Sequence, residues 1–178
     1  KRFDDKDIKQ HLLPKFNISL EEFKNIIDSA TRILGEKHKH SDSDFATDSY
    51  SITKKNRVGR YLTEVCKLHL ANATDDDCKE FRQCIDKVIR TTKPIGVPVA
   101  SHRGLIINNL YLKLCFASKD DKVYICHRCG RVHMHTSGGI CTFCRRPLCQ
   151  NGAYKTKTAW DLWKDNYFML NIIEGKKP

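Results

Sequence analysis

Two CxxC hooks are the residues of this sequence whose type and spacing predict chemistry. The first hook runs from Cys126 to Cys129, the second runs from Cys141 to Cys144, and 11 residues separate them. A CxxC segment turns tightly, so its two thiolates converge on one ion, and two hooks complete a tetrahedron. Four thiolates leave no open coordination position. The spacing therefore predicts one structural Zn²⁺ held by Cys126, Cys129, Cys141 and Cys144, with iron as the alternative metal.

Two other functions of the hook region, a redox site and a catalytic zinc site, fit the sequence less well. A redox CxxC pair needs a thioredoxin-like βαβ context, and none surrounds these residues. A catalytic zinc needs an open position, which would exist if His133 or His135 replaced a cysteine. The two histidines alternate along a segment that reads as extended, so surface or supporting roles are expected for them. Cys149 lies five residues beyond Cys144 and is interpreted as a free thiol.

The remaining cysteines favour a reducing compartment. The chain has nine cysteines, an odd number, and those outside the hooks stand singly, mostly in apolar periodic segments. This usage is typical of a cytoplasmic protein with a metal site and not of a disulfide framework. The expected free thiols of the preceding region are Cys66, Cys78, Cys84 and Cys115.

Positive charge is concentrated around the hooks. Residues 122–157 contain seven Lys and Arg and no Asp or Glu, whereas the net charge is only +2 over 1–57, +2 over 58–121 and zero over 158–178. Such a local excess predicts contact with phosphate, and nearby aromatic residues (Tyr124, Phe143 and Tyr154) could stack on unpaired bases. The candidate nucleic-acid contacts are Arg128, Arg131, Arg145, Arg146, Lys155 and Lys157. The alternative is that these residues only solvate the module or pack against a neighbouring domain.

Helices are expected to position this module. Ser19 and Glu22 form a capping-box pattern ahead of an apolar stripe that continues to Leu34, and Gly35 is a plausible stop. A shorter helical segment, Asp7 to Leu13, is expected to end at Pro14. Further helices are predicted over Val58 to His69, from Thr74 to about Ile89, and from Thr158 to about Ile173 with a stripe of Trp160, Trp163, Tyr167 and Leu170.

Further predictions concern the segments between these helices. Residues 36–56 are polar and are expected to form a mobile loop, in which His38 and His40 are solvated. The acidic run Asp75 to Asp77 suits the first turn of a helix, so a metal site there is not expected. Residues 93–98 contain two prolines and are predicted to be a non-helical connector. The apolar run from Leu105 to Ala117 fits a helix or a strand, and a helix is preferred.

The hook region resembles a known family. The run from Cys126 to His135, with Ser137 to Cys144 and Pro147-Leu148, is similar to the four-cysteine region of large bacterial DEAD/DEAH-box (superfamily 2) helicase-like proteins, of the kind found in phage-defence systems. Asp165 to Leu170 resembles the tyrosine-bearing helix that follows the cysteines in that family. The resemblance covers about residues 124–170. The resemblance implies a role in antiviral defence, and it implies that the helicase core of a parent chain is a partner.

The chain itself carries no motor motifs. It has no GxxxxGK[ST] phosphate loop and no DExx box, so we expect no enzymatic activity and place any motor elsewhere in the parent.

No apolar run approaches the roughly 20 residues that span a bilayer, so no membrane partner is expected. The chain begins at Lys1 without an apolar leader, which predicts no signal peptide and a piece of a longer protein.

The expected fold class is α+β, mainly α. We predict a helical domain over 1–121, a basic four-cysteine zinc module over 122–157, and a C-terminal docking helix and tail over 158–178. The expected function is an accessory zinc-binding domain that contacts DNA or RNA within a helicase-like protein. The alternative is a structural or protein-docking scaffold stapled by zinc. A metal-dependent enzyme is disfavoured because four cysteines close the coordination sphere.

Overall fold

A computed structural model describes residues 8–36, 52–91, 96–98, 105–107 and 118–164 of the 178-residue chain. The fold is α+β and mainly helical, as predicted, with small antiparallel sheets. A π-helical turn (Ile8–Leu12) leads into α1 (Leu13–Lys15), α2 (Leu20–Gly35), α3 (Arg57–His69) and α4 (Asp75–Thr91). The later elements are β1 (Gly96–Pro98), β2 (Leu105–Ile107), β3 (Lys122–Ile125), β4 (Val132–His133), β5 (Cys149–Gln150), β6 (Ala153–Tyr154), β7 (Thr156–Thr158) and α5 (Ala159–Trp163).

The main core lies between α2, α3 and α4. Apolar residues at helical spacing on each helix, such as Phe23, Tyr61 and Phe81, are fully buried there. Phe16, which follows α1, meets Phe81 edge to face with ring centroids 4.9 Å apart. Pro14 lies in the first turn of α1, where proline is tolerated, so the first helical segment continues past the end predicted for it.

The start of α2 shows half of the predicted capping box. The Ser19 hydroxyl accepts a hydrogen bond from the Glu22 N–H (3.1 Å). The Glu22 carboxylate accepts hydrogen bonds from the Thr136 hydroxyl (2.9 and 3.0 Å), 114 residues along the chain. A tertiary contact with the cysteine module thus engages the side chain that the sequence predicted for local capping.

The acidic run at the start of α4 is used locally. Asp77 and Thr74 form a reciprocal cap, in which the Asp77 N–H donates to Thr74 Oγ1 (3.1 Å) and the Thr74 N–H donates to Asp77 Oδ2 (3.0 Å). Lys15 also lies 2.9 Å from Asp77, and Lys54 lies 2.7 Å from Asp75. The hydrogen bonds from Thr74, followed by the Lys15 ammonium, hold the pKa of Asp77 well below its usual range.

The prediction of a helix from Leu105 to Ala117 is wrong over its first residues. β2 (Leu105–Ile107) pairs antiparallel with β1 (Gly96–Pro98), with Val97 opposite Ile106. Gly96 and Pro98 are extended in β1, and this strand gives a short apolar run a partner that periodicity alone does not reveal. Residues 108–117 lie outside the described residues.

The cysteine module is built on a three-stranded antiparallel sheet in the order β4-β3-β7. Tyr124 on β3 stands opposite His133 on β4 and Thr156 on β7. A separate hairpin joins β5 to β6 through Asn151 and Gly152, both with positive φ (52° and 77°). This dipeptide is typical of two-residue hairpin turns.

Several sequence predictions fall partly outside the described residues. These are the loop over 37–51 with His38 and His40, and the C-terminal helix beyond Lys164 with Tyr167 and Leu170. The helix start at Thr158 is confirmed, because Thr158 and Asp161 form a capping box at α5. In the described part of the chain, no helix has the length and apolar character needed to cross a membrane. The domain boundaries stay predictions.

Candidate metal centre and basic grooves

The two CxxC hooks have the same backbone geometry. In the first hook the Gly130 N–H donates to Cys126 O (2.9 Å) and the Cys126 N–H donates to Arg131 O (2.9 Å). In the second hook the Arg145 N–H donates to Cys141 O (3.0 Å) and the Cys141 N–H donates to Arg146 O (2.9 Å). The residue after each hook is left-handed, with φ of 71° at Gly130 and 61° at Arg145. Gly130 and Arg145 therefore occupy equivalent positions.

The hooks bring four sulfurs together. The ligand atoms of Cys126, Cys129, Cys141 and Cys144 all lie within 4.8 Å of one another. Cys126 Sγ is 3.5 Å from Cys144 Sγ, and Cys129 Sγ is 3.6 Å from Cys141 Sγ. A tetrahedron with Zn–S bonds of about 2.3 Å separates its sulfurs by roughly 3.8 Å. The four cysteines are thus close enough to hold a metal ion, and the donor set is the one that structural zinc prefers.

Backbone donors around the sulfurs suit thiolates. Burial opposes ionisation of Cys126, yet the N–H groups of Cys129 and Arg128 hold the pKa of its thiol below the ordinary value. Burial prevails at Cys141 and raises the pKa of its thiol to about 12, although two N–H groups of the same hook oppose the shift. A divalent ion would reverse that preference, because metal ligation deprotonates a coordinating thiol.

The alternative ligands do not join the cluster. His133 is only 1% exposed, and its Nδ1 lies 3.2 Å from the Ser137 hydroxyl. His135 accepts a hydrogen bond at Nδ1 from the Ser137 N–H (3.1 Å). Both rings therefore support the loop between the hooks. Cys149 is half-buried on β5 and is a free thiol.

The other thiols lie in the helical body. Cys66 and Cys78 are buried, and Cys84 is half-buried. Burial, followed by the Cys78 thiol, raises the pKa of Cys66 to about 12, so this thiol is a poor nucleophile. Cys115 lies outside the described residues. In the described part of the chain, the hook cysteines are the one group of His, Cys, Asp or Glu arranged for a metal.

The loop between the hooks is seated in the helical core. The buried hydroxyl of Tyr61 donates to the Ser137 carbonyl oxygen (2.8 Å). Gly138 is left-handed (φ 63°), and a Cβ there would lie 2.7 Å from Ile26 Cγ1. Ile140, which directly precedes Cys141, belongs to the same buried cluster as the helices. The four-cysteine cluster and the main core are therefore adjacent in the chain and in space.

A second contact fixes the hooks against the helices. Glu36, at the end of α2, forms ion pairs with Arg131 from the first hook and with Arg57 of α3, the latter at 2.7 Å. The guanidinium groups of Arg57 and Arg131 lie 5.2 and 5.7 Å from the ring centroid of Phe143 in the second hook. Arg131, a candidate phosphate contact, is thus already engaged within the chain.

The other three candidate arginines, Arg128, Arg145 and Arg146, line two open grooves, and Arg146 lines both. The first groove, which we call the hook groove, has a volume of about 530 Å³ and is lined by His127, Arg128, Arg146, Pro147, Cys149 and Gln150. The second, which we call the α3 groove, lies between the second hook and α3, and Arg145 and Arg146 line it. Arg128 and Arg146 are exposed, and Arg145 is half-buried.

The remaining candidates lie apart from these grooves. Lys155 and Lys157 are exposed on the strand side of the module and line neither groove. Tyr124 and Tyr154 contact each other edge to face, with ring centroids 5.5 Å apart. Phe143 is 53% exposed despite its contact with two arginines.

Sequence reasoning missed the basic residues that the helical body brings to the module. Lys54 and Arg60 line the α3 groove beside Arg145, 85 residues after Arg60 in the chain. No linear motif joins them to the hooks. The available signal was the position of Arg60 on the face of α3 opposite its apolar stripe, which predicts exposure but not a neighbour.

No protein-family model, curated protein or solved structure matches this chain.

Proposed function

We propose that this chain is an accessory, non-catalytic part of a helicase-like protein, in which a structural Zn²⁺ presents arginines to the phosphates of DNA or RNA. The helicase context and a role in phage defence come from the resemblance of residues 124–170. The proposal covers both DNA and RNA. In this proposal any ATP-driven motor belongs to the parent chain, whose core is the expected protein partner.

The observation that carries the proposal is the hook groove. Arg128 and Arg146 line it from opposite hooks, together with His127, and no Asp or Glu is among its lining residues. Arg128 lies inside the first CxxC, and Arg146 follows the second by two residues. Their backbones are therefore fixed by the same turns that place the sulfurs.

This arrangement suits phosphate recognition. A guanidinium group presents N–H donors in a planar fork that matches phosphate oxygens, and little entropy is lost when the backbone beneath it is already rigid. The metal supplies that rigidity, because so small a module cannot bury enough apolar surface to hold its hooks by itself. The chain's own residues would bind the phosphate, while the zinc holds the fold.

A specific contact favours the second candidate, a zinc-stapled scaffold without a nucleic-acid role. Arg131 pairs with Glu36 and packs on Phe143, so one candidate phosphate contact serves to fix the hooks to the helical body. If Arg128 and Arg146 bound a partner domain in the same way, the positive charge of the module would serve docking alone. The two functions differ in their dependence on salt.

The test is fluorescence anisotropy of the zinc-loaded 178-residue chain with single-stranded and duplex DNA and RNA, over a salt series. A double variant, Arg128→Ala with Arg146→Ala, keeps both hook backbones. We expect about tenfold weaker binding and a log–log salt slope flatter by about 1 to 2, since each lost phosphate contact removes released counterions.

A matched control removes two exposed charges from α4, with Lys79→Ala and Lys87→Ala, neither of which lines the hook groove or the α3 groove. It should bind like the wild type with the same salt slope. Equal losses in both double variants would assign the binding to net charge and not to the hook groove. If the wild-type chain bound none of the four nucleic acids at low salt, the scaffold function would replace the proposed one.

A further inference from the structure

The α3 groove is a second basic surface that the sequence analysis did not anticipate. It has a volume of about 380 Å³, and its walls come from the helical body and from the second hook. The lining residues are Lys54, Arg60, Thr63, Glu64, Cys144, Arg145 and Arg146. Four of these seven side chains are basic and one is acidic.

The side chains of the groove differ in their availability. Arg60 is exposed, and within the described residues no carboxylate forms an ion pair with it. Lys54 is 2.7 Å from Asp75, but both side chains are largely exposed, so water and salt screen that pair. The Thr63 hydroxyl donates to Gly59 O and accepts from Arg82, which leaves it no role toward a ligand. Glu64 is the one carboxylate that an anion in the groove would meet.

Arg145 has an unusual backbone for its residue type. It is left-handed (φ 61°) at the position that Gly130 occupies in the first hook. Glycine adopts this conformation without steric cost, whereas an arginine does not. Residues held in disfavoured backbone regions concentrate at ligand sites, because the surrounding structure holds the side chain where it is needed. Here that place is the wall of the α3 groove.

Arg146 connects the two grooves, because it lines both. A chain of phosphates seated beside Arg128 and Arg146 would reach Arg145 on the far side of Arg146, and then α3. We infer that the α3 groove is a second phosphate subsite for the same nucleic-acid strand, with Arg60 of α3 and Lys54, which precedes α3, as contacts and Glu64 as a residue that limits affinity. This inference rests on the proposed function of the hook groove.

The subsite makes opposite predictions for two neighbouring residues of α3. Arg60→Ala removes a contact, so we expect about threefold weaker binding and a salt slope flatter by about 1. Glu64→Gln keeps the size of the side chain and removes its negative charge, so we expect about two- to threefold tighter binding at low salt. A gain in affinity with zinc content and circular dichroism unchanged assigns the effect to the lost charge and not to a change of fold. Both variants are assayed as the zinc-loaded chain by the same anisotropy titration.

Lys79→Ala is the matched control, because it removes one exposed positive charge from α4 that does not line the groove. It should leave binding unchanged, and zinc content and circular dichroism should match the wild type in every variant. Arg145→Gly should weaken binding about as much as Arg60→Ala while it keeps the hook geometry.

The outcomes separate this inference from the function on which it rests. Losses in Arg60→Ala and Arg145→Gly, with a gain in Glu64→Gln, support the subsite. If the hook-groove variant loses binding while Arg60→Ala and Glu64→Gln both match the wild type, the proposed function stands and the subsite is overturned. If the wild-type chain binds no nucleic acid, both are overturned.

Discussion

Gly130 and Arg145 share one backbone conformation at equivalent positions of two hooks. Each donates its N–H to the carbonyl oxygen of the first cysteine of its hook, at 2.9 and 3.0 Å. The sequence shows the glycine as an ordinary part of a CxxC-Gly pattern, but it gives no sign that the arginine is equally left-handed. Arg145 thus adopts the left-handed backbone of the turn and also lines the α3 groove with its side chain.

Replacement of Arg145 by glycine should separate the effect of the backbone on stability from the effect of the side chain. We expect Arg145→Gly to raise the free energy of unfolding by about 0.5 to 1 kcal/mol, because it relieves a positive φ and keeps the hydrogen bond to Cys141 O. Chemical denaturation of the zinc-loaded chain measures the change. Arg145→Ala is the comparison, since it removes the same charge without that relief. Equal stability of the two variants would contradict the account of strain at this turn.

Two left-handed glycines should differ in their tolerance of a methyl group. A Cβ at Gly138 would lie 2.7 Å from Ile26 Cγ1 and 3.1 Å from Val65 Cγ1, whereas a Cβ at Gly152 has no atom within 4 Å. We expect Gly138→Ala to cost about 2 to 4 kcal/mol, from backbone strain and overpacking, and Gly152→Ala to cost about 1 kcal/mol from strain alone. Urea unfolding of both variants measures the two losses in free energy of unfolding. Equal losses would contradict the close packing of Gly138 against α2 and α3.

Metal removal should weaken the helices as well as the hooks. Cys141 follows Ile140, and Ile140 packs in the helical core, so loss of the metal frees a segment on which that core depends. We expect one zinc per chain by elemental analysis, and a helical transition about 10 °C lower after chelation or in Cys141→Ser. Cys84→Ser, a half-buried thiol outside the cluster, is the control. An unchanged helical transition without metal would show that the module and the helices fold independently.

Because His133 is buried, we expect the free energy of unfolding of the chain to decrease as the pH falls. Burial, then Arg32, Arg131 and His135, lower the pKa of this imidazole to about 4. An unfolded histidine titrates near 6.5, so between about pH 6.5 and 4 the unfolded chain binds the extra proton and is favoured as the pH falls. From pH 7 to 5.5 the contribution of His133 to stability should drop by about 1 kcal/mol.

The matched measurement for His133 is denaturant unfolding of wild type and His133→Leu at both pH values, with zinc in excess. Leucine cannot take up the proton, so its loss of stability between pH 7 and 5.5 should be about 1 kcal/mol smaller. Parallel pH profiles would mean that the ring is protonated as readily in the folded state as in the unfolded state.

The features that the sequence predicted are local ones. The sulfurs converge because three-residue spacing and a turn suffice within each hook, and α2 begins at Ser19 because its cap lies three residues from its partner. The errors and omissions are non-local. The Glu22 carboxylate accepts from Thr136 and does not cap its own helix, and β2 forms only with β1 as its partner strand. Arg60 and Arg145 line one groove only after α3 and the second hook have packed together.

One further consequence concerns exchange of the module between proteins. The segment Ser137 to Ile140 belongs to the cysteine region in sequence, yet Tyr61, Ile26 and Val65 of the helices pack around it or bond to it. A graft limited to residues 122–157 would carry its metal ligands to a new host but leave these helical partners behind. The smallest transferable unit therefore includes α2 and α3, and any recombination of the region must keep the fit between residues 26, 61 and 65 and the loop between the hooks.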